Sequence, residues 1–116
     1  RTGPADLPKV RLAACMKVQF THGAAARWHE VLGTIGSANR FAVQRIQAQV
    51  RRALRRIGQF PNSGNFVREH PTMPIREFIV EPYRFVYCVD KPRQLIRIVA
   101  VWHGAQLPAQ PDLAAP

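Results

Sequence analysis

Acidic residues are scarce in this chain. Seven aspartates and glutamates stand against 17 lysines and arginines, and none of the seven falls between Glu30 and Glu69. The formal net charge is +10 on 116 residues. A charge that large on a small chain points to an anionic partner such as nucleic acid, an acidic protein or an anionic surface. Cysteine is nearly absent too. Cys15 and Cys88 are too few for a disulfide framework and lack metal-ligand spacing, so no metal is expected and a reducing cytoplasm is the consistent compartment. No apolar run approaches the roughly 20 residues that span a bilayer, and the first residues lack the apolar core of a signal peptide. No membrane partner is expected. There is no internal repeat, no P-loop and no dinucleotide glycine motif, so no cofactor is expected.

What is present suffices for one folded domain. Hydrophobic residues make up 47% of the chain, enough to build a core and to exclude wholesale disorder. The stretch Ile75 to Gly104 reads as three short strands. Ile75 to Glu81 is rich in β-branched and aromatic residues, and Pro82 interrupts it. Tyr83, Phe85, Tyr87 and Val89 then alternate with Arg84, Val86 and Cys88, and Cys88 reads as a buried small hydrophobe. Asp90-Lys91-Pro92-Arg93 is a turn cluster, and Leu95 to His103 is a third apolar run. On strict alternation Arg97, Val99, Val101 and His103 share one face.

Ahead of this meander, Met16 to Phe20 alternates as a half-buried strand, and Thr21 stands where a helix N-cap would. Trp28, Val31, Leu32 and Ile35 mark one face of a helix over about 24–35, which Gly36-Ser37-Ala38-Asn39 is expected to break. A second helix over about 40–57, capped by Asn39 or Ser37, gathers Val43, Ile46, Val50, Leu54 and Ile57 on one side. Arg45, Arg51, Arg52, Arg55 and Arg56 occupy the other side, and Gly58 is placed to end the helix. With no acid interspersed, the arginines repel one another, which favours an anionic partner over a merely solvated face. Residues 59–74 form a long loop. Its His70 reads as inert.

The order strand, helix, helix, strand, strand, strand implies an α+β domain of two layers, the helical hairpin on one face of an antiparallel meander that the first strand can join. The other sheet face is expected to be concave and partly open, with Arg76, Arg84, Arg97 and His103 as candidates to line it. Residues 16–104 form the domain, 1–15 are expected as a flexible arm, and 105–116, with Pro108, Pro111 and Pro116, as a flexible tail.

Several segments together resemble the RelE/ParE superfamily of toxins from bacterial type II toxin–antitoxin systems, often called plasmid stabilisation proteins. They are Met16–Phe20, the helices with Trp28 and Leu32, the Pro61…Gly64 loop, Ile75-Arg76-Glu77-Phe78, Pro82-Tyr83-Arg84-Phe85-Val86-Tyr87 and Val101-Trp102-His103-Gly104. The resemblance implies a compact α+β toxin, held inactive by an acidic or amphipathic antitoxin encoded beside it. Arg45, Arg52 and Arg56 are the expected antitoxin contacts. ParE-like members poison DNA gyrase, and RelE-like members cut mRNA in the ribosomal A site. For RNA cleavage His103 would serve as acid, Arg84 and Arg76 as phosphate clamps, and Glu81 or Tyr87 as base or orienter. Arg76, Arg84 and Arg97 are the expected target contacts in either case. Arg76 and Glu77 also fit simple cross-strand ion pairs. Many members follow the His-Gly pair with arginines, whereas Ala105, Gln106 and Leu107 follow Gly104 here, which favours gyrase as target. A non-toxic basic RNA-binding module is the alternative from another class. Such modules display stacking aromatics, whereas Tyr83, Phe85 and Tyr87 alternate as a buried stripe.

Overall fold

The structure, a computed structural model, describes residues 15–104 and Leu113. The arm and tail expected at the ends otherwise lie outside the described residues. The elements are β1 (Lys17–Phe20), α1 (His22–Ala38), α2 (Arg40–Gln59), β2 (Asn65–Phe66), β3 (Arg76–Val80), β4 (Tyr83–Asp90) and β5 (Leu95–His103). They form one sheet in the order β1-β5-β4-β3-β2. β1 runs parallel to β5, and the other pairs are antiparallel. The expected two-layer α+β arrangement is therefore present, with the short β2 added from within the long loop.

Helix boundaries follow from capping chemistry. Thr21 Oγ1 accepts from the Ala24 N–H at 3.2 Å, and the Thr21 N–H donates to Ile98 O at 2.9 Å, so one residue starts α1 and ties it to β5. α1 runs past the expected break at Gly36 and stops only at Asn39. The Asn39 N–H closes the helix on Ile35 O at 2.9 Å, and its side chain accepts from the Phe41 and Ala42 N–H groups to open α2. Gly58 does not end α2 as expected. It lies inside the helix, and Phe60 caps the end through its N–H to Arg56 O at 2.8 Å. A Cβ at 58 would stand 3.1 Å from Met16 O, tighter than an ordinary contact, because the residue just ahead of β1 donates its N–H to Gly58 O at 2.8 Å.

The main core lies between the helices and the sheet. It joins Ala24, Ile46, Val50 and Ile57 to Val80, Phe85, Tyr87, Ile96, Ile98 and Val101. Trp28 meets Phe85 edge-on at 4.9 Å, and Phe78 stacks on Phe85 at the same distance. At about 1.5–3 kcal/mol per buried large apolar side chain, this layer dominates stability.

The opposite sheet face is less open than the sequence suggests. The loop after α2 crosses it, burying Val67 and Ile75 against Val86, Val99 and Trp102, with Leu113 packed alongside. Strict alternation along β5 also fails. Val86 pairs with Ala100 and Tyr87 with Ile98, so Val99 is an extra residue in β5. This β-bulge reverses the side-chain phase. Arg97 and Val99 stay on the loop-covered face with Trp102, whereas Val101 and His103 turn to the helical side.

Candidate functional site

Two strands bring the arginine-rich motif together. In the β3–β4 hairpin Ile79 pairs with Arg84 and Glu77 with Val86, which sets Glu77 diagonal to Arg84 on the same face. Arg84 Nε donates to Glu77 Oε1 at 2.8 Å. Its Nη1 and Nη2 donate to the two oxygens of Glu69 at 2.9 and 2.8 Å, a bidentate fork. The guanidinium also lies 5.4 Å from the centre of the Trp102 ring. The hydrogen bond from Arg84 lowers the Glu69 carboxyl to about 2. The same hydrogen bond holds the Arg84 proton more tightly than in a free arginine. The cross-strand ion pair anticipated for Glu77 exists, with Arg84 of β4, whereas among the described residues no salt bridge involves Arg76.

Arg76 is occupied elsewhere. Its Nη1 donates to Gly64 O at 2.8 Å and Asn62 O at 3.2 Å, and its guanidinium lies 4.2 Å from the centre of the exposed Phe66 ring. Tyr87 completes this anchorage. Its hydroxyl donates to Pro61 O at 2.8 Å and accepts from the Gly64 N–H at 2.9 Å. The residue is fully buried, and desolvation raises its phenol above the ordinary tyrosine range. A phenol so placed holds the loop and stays neutral at physiological pH, so it is poorly suited to act as a base. Arg97 Nη2 donates to Leu113 O at 2.7 Å and reaches Cys88 Sγ at 4.0 Å.

His103 and Arg84 belong to opposite sheet faces. His103 is half-buried and sits edge-on to its strand partner Tyr83 at 5.5 Å. The two residues meet only at the end of the sheet, in an open cavity of about 760 Å³ shared with Arg68, Glu69, Glu77 and Glu81. The structure thus brings together His103, Arg84 and Glu81 from the expected set, but neither Tyr87 nor Arg76 lines this cavity. Glu69 was not singled out in the sequence, and nothing in a loop of irregular spacing marks it. Glu77 was recoverable in full by counting back from the Glu81–Pro82 connection.

Helix α2 presents Arg45, Arg52 and Arg56 to solvent, and among the described residues no salt bridge involves an arginine of this helix. Arg52 and Arg56 line a depression of about 530 Å³ with Ser63, Gly64, Phe78 and Ile79. Arg45 lines a smaller one, about 280 Å³, beside Ile35, Pro82 and Tyr83. β2 covers only the Arg76–Glu77 end of β3, which leaves the edge from Phe78 to Val80 without a neighbouring strand among the described residues. Ile79 on that edge is 51% exposed.

With this geometry in view, comparison with known proteins is decisive at the family level. The profile of the ParE toxin of the type II toxin–antitoxin system, parDE, matches residues 18–108. The chain belongs to that family. The toxin–antitoxin complex RelBE2 from Mycobacterium tuberculosis is similar in fold, with a TM-score of 0.56 at 19% identity over 79% of this chain and 94% of that one. No curated protein matches the chain. This ParE-family toxin therefore has the RelE/ParE architecture that its sequence motifs resemble. Among the described residues no group of side chains is arranged to hold a metal, and no helix is long and apolar enough to cross a membrane.

Proposed function

We propose that this toxin arrests growth by poisoning DNA gyrase through surface contacts, and that an acidic antitoxin neutralises it. The observation that carries the target is the state of Arg84. Both edges of its guanidinium are taken by carboxylates of the same chain, at 2.7–2.9 Å. An arginine held between two carboxylates is a poor clamp for a phosphate, which would be a third anion at the same fork. Arg76 and the Tyr87 hydroxyl are likewise committed to the loop backbone. Membership of the ParE family supports the same reading. The antitoxin is assigned to the depression between α2 and the β3 edge, where Arg52 and Arg56 offer charge, Ile79 offers apolar area and the bare strand edge offers hydrogen bonds.

One observation favours messenger cleavage as a second reading: His103, Arg84 and Glu81 do line a common cavity. Arrested cells separate the two. Gyrase poisoning predicts DNA damage and filamentation with intact transcripts, and His103→Ala retains the arrest. Transcript cleavage that is ribosome-dependent and lost in His103→Ala would reverse the assignment, because a general acid contributes roughly 10²–10⁴-fold in rate.

A further inference from the structure

The arginines of α2 divide between two flanks of the helix. Arg52 and Arg56 face the β3 edge, where they line the depression assigned to the antitoxin. Arg51 and Arg55 each stand one residue earlier, and so about 100° round the helix, on the flank toward β1. Arg55 rims a separate depression of about 360 Å³ with Met16, Val18 and Leu54. Arg51 lies one turn before it, and both are exposed. Between Met16 and Val18 stands Lys17, also exposed. The Lys17 N–H donates to Gln94 O at 3.3 Å, which brings the 90–94 turn alongside. That turn adds exposed Lys91 and Arg93. Cations from three separate segments thus gather at the end of the sheet where β1 and β5 begin.

The same end is poor in acid. Neither β1 nor α2 holds an aspartate or glutamate, and the turn holds only Asp90. Asp90 reaches Arg93 Nε at 3.7 Å, a long contact to a side chain that is 77% exposed. Glu69, Glu77 and Glu81 line the cavity at the opposite end of the strands, beside His103. The molecule is therefore polarised along its strands, and its field draws a polyanion to the β1 end. Phe41, Phe60, Phe66 and Ile79 are the large apolar side chains exposed among the described residues, and none of them rims the Arg55 depression. Protein interfaces are built round an apolar centre, whereas interfaces with duplex DNA are polar and strongly basic. Single strands call for stacking aromatics, which this patch does not offer.

From this arrangement we infer that Lys17, Arg51, Arg55, Lys91 and Arg93 form a seat for the phosphate backbone of duplex DNA, separate from the antitoxin surface. Arg51 and Arg55 offer two charges about 6 Å apart along the helix, and the turn and β1 extend the row beyond its end. Such contacts neutralise phosphates and read no bases, so binding is independent of sequence. The choice of a duplex backbone rests on the charges and on the lack of exposed rings. The choice of DNA over RNA rests on the gyrase reading, because gyrase holds duplex DNA beside any bound partner. The seat keeps the toxin against that DNA and leaves the other flank of α2 to the antitoxin.

The test titrates the full chain into a short fluorescein-labelled DNA duplex and follows anisotropy around roughly 0.1 M salt, where charges beyond about 10 Å are screened. Arg55→Gln with Lys91→Gln and Arg93→Gln should weaken binding about tenfold or more and flatten the slope of log K against log salt by about 2–3. Arg45→Gln with Arg52→Gln and Arg56→Gln removes the same charge from the antitoxin flank and should bind DNA nearly as wild type. Arg55→Lys with Arg93→Lys keeps the charges and should keep the affinity. All these side chains are exposed, and urea midpoints check that each variant folds. Equal losses in the two triple variants would make the effect one of net charge and overturn the inference. So would tighter binding of the single strand, or of a glutamate-rich peptide, at the same residues. Duplex RNA that binds more tightly than DNA would overturn the choice of DNA. No gyrase enters the measurement, so failure of the gyrase reading shows separately, as transcript cleavage in arrested cells.

Discussion

At the scale of residues, Arg76, Arg84 and Tyr87 of the motif are each engaged by groups of the same chain. Tyr87 spends its hydroxyl on two backbone groups of the 61–64 turn. Tyr87→Phe leaves the Gly64 N–H and Pro61 O unmatched and should cost about 1–3 kcal/mol, read from the urea midpoint. Gly64→Ala should cost more, because its Cβ would lie 2.6 Å from Glu77 O. The Glu69–Arg84 pair carries a pH signature. Glu69 titrates at about 2 in the folded chain against a reference value of 4.5. A depressed carboxyl stabilises the fold above its unfolded pKa, and that contribution disappears as pH falls through the folded value. With Glu69 more than a third exposed, solvent screening limits the contribution to about 1 kcal/mol. The stability advantage of wild type over Glu69→Gln should therefore be full near neutral pH and vanish between pH 4.5 and about 2. An advantage that persisted at pH 2 would contradict the assignment. Arg84 and Glu77 were legible as neighbours once the hairpin register was counted. Glu69 was not, because it lies in a loop with no periodicity and reaches Arg84 over a sequence separation of 15 that takes in all of β3.

At the scale of elements, α2 and the edge of β3 form the surface proposed above for the antitoxin. The helix carries its apolar side inward and an uncompensated row of arginines outward. Exposed arginines steer encounter more than they set final affinity. Arg52→Glu with Arg56→Glu should slow antitoxin association by about tenfold or more at low salt and flatten its salt dependence. Stopped-flow mixing at several ionic strengths reads both, and an unchanged on-rate would remove α2 from the interface. Ile79→Asp, at a site already half exposed, should weaken the complex while leaving the urea midpoint of the free toxin nearly unchanged.

At the scale of the whole molecule, the charge of +10 works against the compact state when no partner is bound. Screening should relieve that repulsion. The Debye length falls from about 30 Å at roughly 0.01 M salt to about 8 Å at roughly 0.15 M. The thermal midpoint of the free toxin should rise over that interval, as followed by circular dichroism. A fall would mean that exposed ion pairs such as Arg27–Glu30 outweigh the repulsion among the arginines.

The sequence by itself determined what depends on local chemistry. Apolar period placed both helices and the meander, Thr21 marked one helix start and Asn39 or Ser37 the other, and the composition pointed to an anionic partner. The tertiary structure decided what depends on register and on distant segments. The extra residue at Val99 moved His103 to the face opposite Arg84, because one inserted residue inverts a period of two. Gly58 proved to lie inside the helix, against Met16 just ahead of β1, which no helix-end rule reads. The loop over the second face brought Glu69 to Arg84, and this contact separates an arginine open to a phosphate from one already holding a carboxylate.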